Sequence, residues 1–347
     1  STSRAIRASL LLLVLAAIGS ANRPVIADPR AEPEPVMAVT VVPRSESGVF
    51  RDTTVVYLDG RIDAGAPARL AQALEGVDGR IAIWLNSPGG NLFAGMQLGR
   101  VIRKHSASTH IIDSRTLLPG ECYSACSLAF LGGVYRFNDN GARYGVHRAS
   151  LRGGPKIGDP DLDQDLSSAI RAYVREMGVD ARLVDLWLKA RPDEMYVLSE
   201  REARGLGVVN NGRQPPRWSI EKNPAGSRLQ GRQVTIDGAG TVSFSCDNQQ
   251  TVFGSVYEAA GKTERIDRRE WSHWLTIDGK EIPLTVAGAT FILPPDVGRL
   301  VRSAVQIGHR MKPPGNDAAS IDYAVDVDGK SASMVRSFLG NCLRGQG

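Results

Sequence analysis

Short apolar runs alternate with amphipathic stretches between Thr53 and Val209, and this alternation constrains the fold more than any other feature of the chain. It begins with the apolar "TTVVYLDGRID", passes through the amphipathic "APARLAQALEG" and returns to the apolar "RIAIWLNSPGG". An order of strand, helix and strand is typical of parallel strands that are joined by helices. We therefore expect an α/β domain over residues 51–213, built on a mostly parallel sheet.

Proline-rich stretches mark the expected boundaries of this domain. Residues 22–50 contain five prolines and few large apolar side chains, which predicts a linker. The segment "NNGRQPPRWSIEKNPAGS" predicts a second linker over residues 214–228. Short strand-like runs such as "RQVTIDGAGTVSFSCD" and "TVFGSVYEAA" follow it. They predict a small β-rich domain over residues 229–347 that ends in a helix, "SASMVRSFLGNC".

The first 21 residues have the composition of a secretory signal peptide. Arg4 and Arg7 precede an apolar run from Ala8 to Ile18, small residues follow it, and we expect cleavage after about Ala21. The run is shorter than the roughly 20 apolar residues that a membrane-spanning helix needs, which favours export over an uncleaved anchor. We expect a periplasmic or secreted protein with no membrane span after cleavage.

The charge balance gives no support for a nucleic-acid partner. The chain has 42 Lys and Arg against 37 Asp and Glu, a net charge of +5 that falls by 2 to +3 without Arg4 and Arg7. The basic residues are spread along the chain and form no blocks. The sequence also lacks a phosphate-binding loop, a dinucleotide fingerprint and a zinc-ligand pattern, so we expect no cofactor and no metal.

The four cysteines are an even number in a chain that we expect to be exported, which favours two disulfides. They form a close pair, Cys122 and Cys126, and a distant pair, Cys246 and Cys342, and we expect pairing within each set. Two cysteines four apart in a regular helix are roughly 6 Å apart at Cβ, too far for a disulfide, so Cys122 must precede the helix. The alternative is a nucleophilic thiol, which would need a nearby base.

Three polar or glycine positions could carry hydrolytic chemistry. Ser124, in "GECYSACSLAFLGG", lies where a strand ends and a helix begins, close to unpaired helix N–H groups. Gly90 ends the strand-to-helix turn "NSPGG", where the backbone can approach a ligand and the N–H can bind an oxyanion. His147 ends the run "ARYGVH", at the sheet edge where ligands bind. Taken singly, the glycines could form only a tight turn and the histidine could simply end a strand.

The order of these segments resembles the Clp protease proteolytic subunit family, within the wider ClpP/crotonase fold. The resemblance runs from about Val55 to Val209, and "LNSPGGNLFAG" is its most specific part. It implies a βα superhelical unit in which Ser124 is the nucleophile and His147 is the base. It also implies that the N–H groups of Gly90 and Ala125 form the oxyanion hole. The segment "LSEREARGLGVV" resembles the closing helix and last strand of the family.

The chain departs from the family at the third member of the triad. The column of the family's aspartate falls on Met195, and Asp193 and Glu194 precede it. A shift of one or two residues would supply a carboxylate, for which Asp193 is the first choice. Without one, a dyad of Ser124 and His147, oriented by a backbone carbonyl or another side chain, is the alternative.

The resemblance implies a serine hydrolase, most simply a peptidase that acts on a peptide or protein substrate, and the N-terminal segment predicts that it is exported. One alternative is an inactive interaction module that has lost its carboxylate, with Met195 as its support. Another is a crotonase-type acyl enzyme, although coenzyme A substrates do not suit an exported protein. The family assembles into rings with ATP-dependent partners, which an exported compartment does not offer. For this chain we therefore expect a monomer or a small homo-oligomer.

Overall fold

The computed structural model of the chain describes residues 36–44, 52–138, 141–148, 160–190, 194–223, 226–247, 250–259, 270–285, 290–315 and 320–344. The signal peptide predicted over residues 1–21 lies outside these ranges. No helix within them combines the length and the apolar character that a bilayer crossing requires.

The α/β part of the chain, residues 36–209, alternates strands and helices. Its elements are β1 (Ala38–Val42), β2 (Thr53–Asp59), α1 (Ala66–Ala73), β3 (Arg80–Asn86), α2 (Leu92–Lys104), β4 (Ser108–Asp113), β5 (Leu118–Pro119), β6 (Glu121–Tyr123), α3 (Ala125–Leu131), β7 (Tyr135–Phe137), β8 (Arg143–Val146), α4 (Pro160–Glu176), α5 (Arg182–Lys189), β9 (Tyr196–Val197) and α6 (Glu200–Gly205).

The β-rich part of the chain, residues 217–344, is mainly antiparallel. Its elements are β10 (Arg217–Asn223), β11 (Gly226–Thr235), β12 (Gly238–Asp247), β13 (Gln250–Ala259), β14 (Ser272–Ile277), β15 (Lys280–Leu284), β16 (Phe291–Leu293), α7 (Pro295–Ser303), β17 (Gln306–Lys312), β18 (Ile321–Asp326) and α8 (Ala332–Arg344).

The main sheet of the α/β part has six strands and is mostly parallel. Strands β2, β3, β4 and β7 pair in parallel, and β1 and β5 are added antiparallel at β2 and β4. Apolar side chains such as Leu58, Ile83 and Ile111 are fully buried, in one core with residues of α1, α2 and α3 such as Leu70, Leu98 and Leu128. This packing gives the helices a fixed position over the sheet.

A second, small sheet in the α/β part carries the predicted site. Strand β6 pairs in parallel with β8, and β8 pairs antiparallel with β9. An isolated bridge from Ser87 to Cys122 joins β6 to the residue that follows β3. The end of the main sheet and the small sheet therefore meet at the segment "NSPGG".

The β-rich part has its own apolar core. A five-stranded sheet, in the order β10, β11, β12, β13 and β16, accompanies a four-stranded sheet, in the order β15, β14, β17 and β18. Side chains of both sheets share this core with α7 and α8, including Phe244, Leu275, Val301 and Leu339. A disulfide from Cys246 to Cys342 joins β12 to α8.

Two segments predicted as linkers contain strands. Strand β1 lies within residues 22–50, where "AVTVV" pairs with β2, and Met37, just before it, is 1% exposed in the apolar core. Strand β10 lies within residues 214–228, and the Trp218 indole N–H donates to the Asp326 carbonyl at 2.8 Å. In both segments the strand pairs with the next strand along the chain, β1 with β2 and β10 with β11, and the neighbouring prolines obscure this pattern in the sequence.

Candidate active site

Ser124 occupies a strained turn between β6 and α3. Its backbone angles are φ 56° and ψ −122°, a region that non-glycine residues rarely adopt. The Ser124 N–H donates to the Gly145 carbonyl at 3.0 Å, and the Ser124 carbonyl accepts from the Ser127 N–H at 2.9 Å. Within the described residues, the Ser124 hydroxyl does not cap α3. Backbone hydrogen bonds therefore hold the turn, and the hydroxyl does not cap the N-terminus of α3.

The glycine turn after β3 packs directly against this serine. Gly89 has φ 99°, and a Cβ atom there would lie 2.7 Å from Ser124 Cβ and 3.1 Å from the Ala125 nitrogen. Gly90 has φ 142°, and a Cβ atom there would lie 2.2 Å from the Ile62 carbonyl oxygen. Both positions therefore require glycine for conformation and for space. Ser124 and Gly89, which are 35 residues apart in the sequence, are therefore in contact.

The two predicted oxyanion donors lie on these touching segments. Gly90 and Ile62 form an isolated parallel bridge. Its two hydrogen bonds, each 2.8 Å long, run from the Ile62 N–H to the Gly89 carbonyl and from the Asn91 N–H to the Ile62 carbonyl, so the Gly90 N–H is not used in the bridge. Ala125 is the first residue of α3, where the N–H has no carbonyl of an earlier helical turn to bond.

Ser87 and Asn91 fix the glycine turn, and neither was predicted from the sequence as a site residue. The Ser87 hydroxyl accepts from the Gly89 N–H at 3.1 Å, and the Ser87 carbonyl accepts from the Tyr123 N–H at 3.0 Å. The Asn91 side chain caps α2 by accepting from the Ala94 N–H at 2.9 Å. An Asn or Ser next to paired glycines at a helix start was the available signal.

His147 follows β8, the strand that pairs with the strand before Ser124. The register of this parallel pair matches Tyr123 with Gly145. Ser124 and His147 therefore leave neighbouring strands at the same edge of the small sheet, and both residues are half-buried.

Met195 lies beside β8, where the resemblance expects an aspartate. Strand β9 pairs Tyr196 with Val146, so one further step along this antiparallel register sets Met195 opposite His147. A Cβ atom on Gly145 would lie 2.7 Å from Met195 Cγ, which shows how closely the thioether approaches β8. Glu194 is exposed, and Asp193 lies outside the described residues.

The Cys122–Cys126 disulfide spans the serine turn. Cys122 lies in β6, before the helix, and Cys126 lies in the first turn of α3, with a Cα–Cα distance of 5.2 Å. Both cysteines are fully buried. The described residues contain no free cysteine, so the alternative of a thiol nucleophile does not fit this structure.

Neutral aromatic side chains support the turn. The Tyr144 hydroxyl donates to the Ser127 carbonyl at 3.2 Å, and burial raises the pKa of Tyr144 well above its ordinary value. Burial also raises the pKa of Tyr123, the residue before the serine, and its hydrogen bond with Glu121 adds to this effect. Both phenols therefore stay neutral at physiological pH.

The described residues contain no group of three or more His, Cys, Asp or Glu side chains arranged to bind a metal ion. The functional groups that this region does offer are a serine hydroxyl, an imidazole and backbone N–H donors. This set suits nucleophilic acyl transfer.

Comparison with known proteins adds little to this geometry. No family model and no curated protein sequence matches the chain. Among solved structures, a mutant of the 1510-N membrane-bound stomatin-specific protease is similar, with 21% sequence identity and a TM-score of 0.35. The match covers 44% of this chain and 75% of that chain.

Proposed function

We propose that the protein is an exported serine hydrolase, most specifically a peptidase, with Ser124 as its nucleophile. The observation that carries this proposal is the positive-φ turn at Ser124, packed against the Gly89–Gly90 turn. A serine in such a conformation is energetically unfavourable, and strain of this kind concentrates at functional sites. A sharp strand-to-helix turn also presents the hydroxyl of a nucleophilic serine in unrelated hydrolases.

In the proposed reaction, His147 accepts the hydroxyl proton while Ser124 Oγ attacks a peptide carbonyl carbon. The tetrahedral intermediate collapses when His147 protonates the leaving amine, which leaves an acyl group on Ser124. Water, deprotonated by His147, then attacks this ester, and His147 returns the proton to Ser124 Oγ as the carboxylic acid product leaves. The shared sheet edge of Ser124 and His147 supports this division of roles.

The N–H groups of Gly90 and Ala125 are the proposed oxyanion donors. Gly90 lends no N–H to its bridge with Ile62, and Ala125 starts α3 beside Gly89, which supports the pairing of these two donors. Each donor of this kind is worth about 3 to 4 kcal/mol in the height of the reaction barrier.

For the third member of the triad we propose Asp193, with Glu194 as the alternative and a Ser124–His147 dyad as the last choice. Met195, which has no carboxylate, lies beside β8 at the position where the resemblance expects the aspartate. The proposed carboxylate therefore comes from one of the two residues before it. Comparison of Asp193→Asn with Glu194→Gln decides between the two side chains, because only the one that orients His147 should slow the reaction. Equal rates in both variants and in the wild type would favour the dyad.

We assign the α/β part to the ClpP/crotonase superhelical fold, on the sequence resemblance and on the mostly parallel sheet with a small second sheet at its end. The chain has two disulfides, and disulfides are common in exported proteins, which supports a periplasmic or secreted location. The proposed partners are a peptide or protein substrate and, at most, a few copies of the same chain.

A fluorophosphonate probe tests the proposed nucleophile, since it modifies activated serines. Wild-type protein should be labelled on the peptide that contains Ser124, and Ser124→Ala should abolish labelling while its circular dichroism spectrum is unchanged. Ser303→Ala is the matched control, because that hydroxyl only donates to the Leu300 carbonyl on α7. Undiminished labelling of Ser124→Ala would rule out this nucleophile.

A second candidate function is a catalytically inactive interaction module, and the thioether of Met195 beside β8 favours it. Such a module would keep the glycine turn for structural reasons and would lack an oriented base. It should show no serine labelling at any pH, in contrast to the peptidase. The same probe therefore separates the two candidates.

A further inference from the structure

The Cys122–Cys126 disulfide encloses the proposed nucleophile between two anchored elements. On one side, β6 is fixed by its pairing with β8 and by the Tyr123 N–H, which donates to the Ser87 carbonyl at 3.0 Å. On the other side, α3 packs on α2 so closely that a Cβ atom on Gly95 would lie 2.4 Å from the Ala125 carbonyl oxygen. Ser124 joins the two elements.

The distance between the two cysteines shows how sharply the chain turns at this point. Their Cα atoms are 5.2 Å apart, whereas four residues in extended conformation span roughly 13 Å or more. The positive φ of Ser124 contributes to this reversal, and a residue with a side chain resists that conformation. A covalent bond between Cys122 and Cys126 limits how far the turn can open.

We propose that this disulfide is a positioning element for Ser124, so that the hydrolase is fully reactive only when the bond is oxidised. The inference rests on the proposed function, because it concerns the same hydroxyl. It adds a regulatory property: the activity depends on the redox state of a bond that does not take part in the chemistry. Cys122 and Cys126 are thus positioning residues, and neither acts on the substrate.

A dithiol can reduce the Cys122–Cys126 disulfide by thiol–disulfide exchange. One thiolate of the dithiol attacks a sulfur of the Cys122–Cys126 bond and releases the other cysteine as a thiolate. The second thiolate of the reductant then displaces the first cysteine and closes a cyclic disulfide. Two electrons and two protons pass to the protein, which ends with two thiols. Because both cysteines are fully buried, the reductant reaches them only through local unfolding of the surrounding elements.

Paired variants separate positioning from general stabilisation. The double variant Cys122→Ala, Cys126→Ala removes the bond at the serine and leaves no thiol there. The double variant Cys246→Ala, Cys342→Ala is the matched control, since it removes a disulfide of sequence separation 96 in the β-rich part. The kinetics of fluorophosphonate labelling give two quantities for each protein: the maximal rate constant and the probe concentration at half-saturation.

We expect the first double variant to lose at least tenfold in the maximal rate constant, with the half-saturating concentration unchanged. The control should match the wild type in both quantities. A role in stability alone would leave the maximal rate constant of the folded protein intact, so equal rate constants in the first variant and the wild type would overturn the proposal. Absence of Ser124 labelling in oxidised wild type would instead overturn the proposed function.

Reduction of the wild-type protein keeps the proposal testable if the first double variant does not fold. The protein is titrated with dithiothreitol, and alkylation with mass spectrometry identifies which cysteines have become thiols. Labelling should fall as the Cys122–Cys126 bond opens, before the circular dichroism signal changes, and should return on reoxidation. Full labelling of protein whose Cys122 and Cys126 are both alkylated would overturn the proposal.

Discussion

A methyl group on Gly89 would lie 2.7 Å from Ser124 Cβ, so the backbone of the glycine turn and the proposed nucleophile are in direct contact. The same methyl group would lie 2.6 Å from the Tyr123 carbonyl oxygen, which belongs to the backbone and cannot move aside alone. Any side chain at position 89 must therefore displace the serine turn or the donors next to it.

We predict that Gly89→Ala reduces fluorophosphonate labelling of Ser124 by at least about tenfold, since small displacements at an active site cost that much or more. The measurement is the labelling rate constant of the folded protein. Gly76→Ala is the control, because Gly76 also has a positive φ, 71°, but has nothing within 4 Å of the added atom. If both variants are labelled at the wild-type rate, the contact has no functional consequence.

The second prediction concerns the proposed base. His147→Gln keeps a polar side chain of similar length but cannot accept and return a proton as imidazole does. We expect the labelling rate constant of Ser124 to fall by about 100-fold or more, the range of general-base catalysis. His105→Gln is the control, since His105 ends α2 as its C-cap. Equal labelling of both variants would show that His147 is not the base.

The third prediction concerns stability in acid. His110 lies in β4 with its ring stacked on Phe137 at a centroid distance of 4.7 Å, and the Ser108 hydroxyl lies 3.1 Å from its Nε2. Burial lowers the pKa of His110 from 6.5 to about 4. Between these values the unfolded chain binds a proton that the folded chain does not, so stability falls as the pH falls.

For His110 this linkage amounts to about 3 kcal/mol in the free energy of unfolding between pH 6.5 and pH 4. His110→Phe preserves the stacked ring and removes the titrating group, so it should lose less stability over this range than the wild type. Urea unfolding at a series of pH values measures the difference. Parallel curves for the two proteins would contradict the assignment to His110.

The elements of the site that follow from local chemistry could be predicted from the sequence. Paired glycines after an apolar strand indicate a turn with positive φ, and Gly89 and Gly90 both adopt it. The cysteines on either side of Ser124 imply that the first one precedes the helix, and Cys122 lies in β6. These features depend on a few neighbouring residues, so a single sequence contains the information.

Features that depend on distant pairing could not be predicted in the same way. Strand β9 has two residues, and only its register with β8 sets Met195 opposite His147. In the β-rich part, the sequence pattern indicated no role for His273 and His309. The structure joins them by a contact of 3.1 Å between His273 Nδ1 and His309 Nε2, because β14 and β17 pair.

Arg136 is a further example, because its position in "VYRFND" does not suggest burial. The side chain is 4% exposed and donates to the carbonyls of Gly133, Gly207 and Val208 at 2.7, 2.8 and 2.9 Å. These carbonyls follow the ends of α3 and α6, where helix dipoles favour a cation. Burial lowers the pKa of Arg136 to about 10, and the charge of Arg103 adds to this effect, so the guanidinium remains protonated at neutral pH.

The fourth prediction is that Arg136→Met lowers the free energy of unfolding by about 3 kcal/mol or more, since it leaves three carbonyls without their donor. Arg136→Lys should cost less, because it keeps the charge and one hydrogen bond, but a single ammonium does not reproduce the planar fork of donors. Arg175→Met, an exposed position on α4, is the control and should change stability by about 0.5 kcal/mol or less. Urea unfolding of the four proteins gives the order. If Arg136→Met is no less stable than Arg175→Met, the guanidinium does not hold the ends of α3 and α6 together, and the position of α3 behind Ser124 must have another cause.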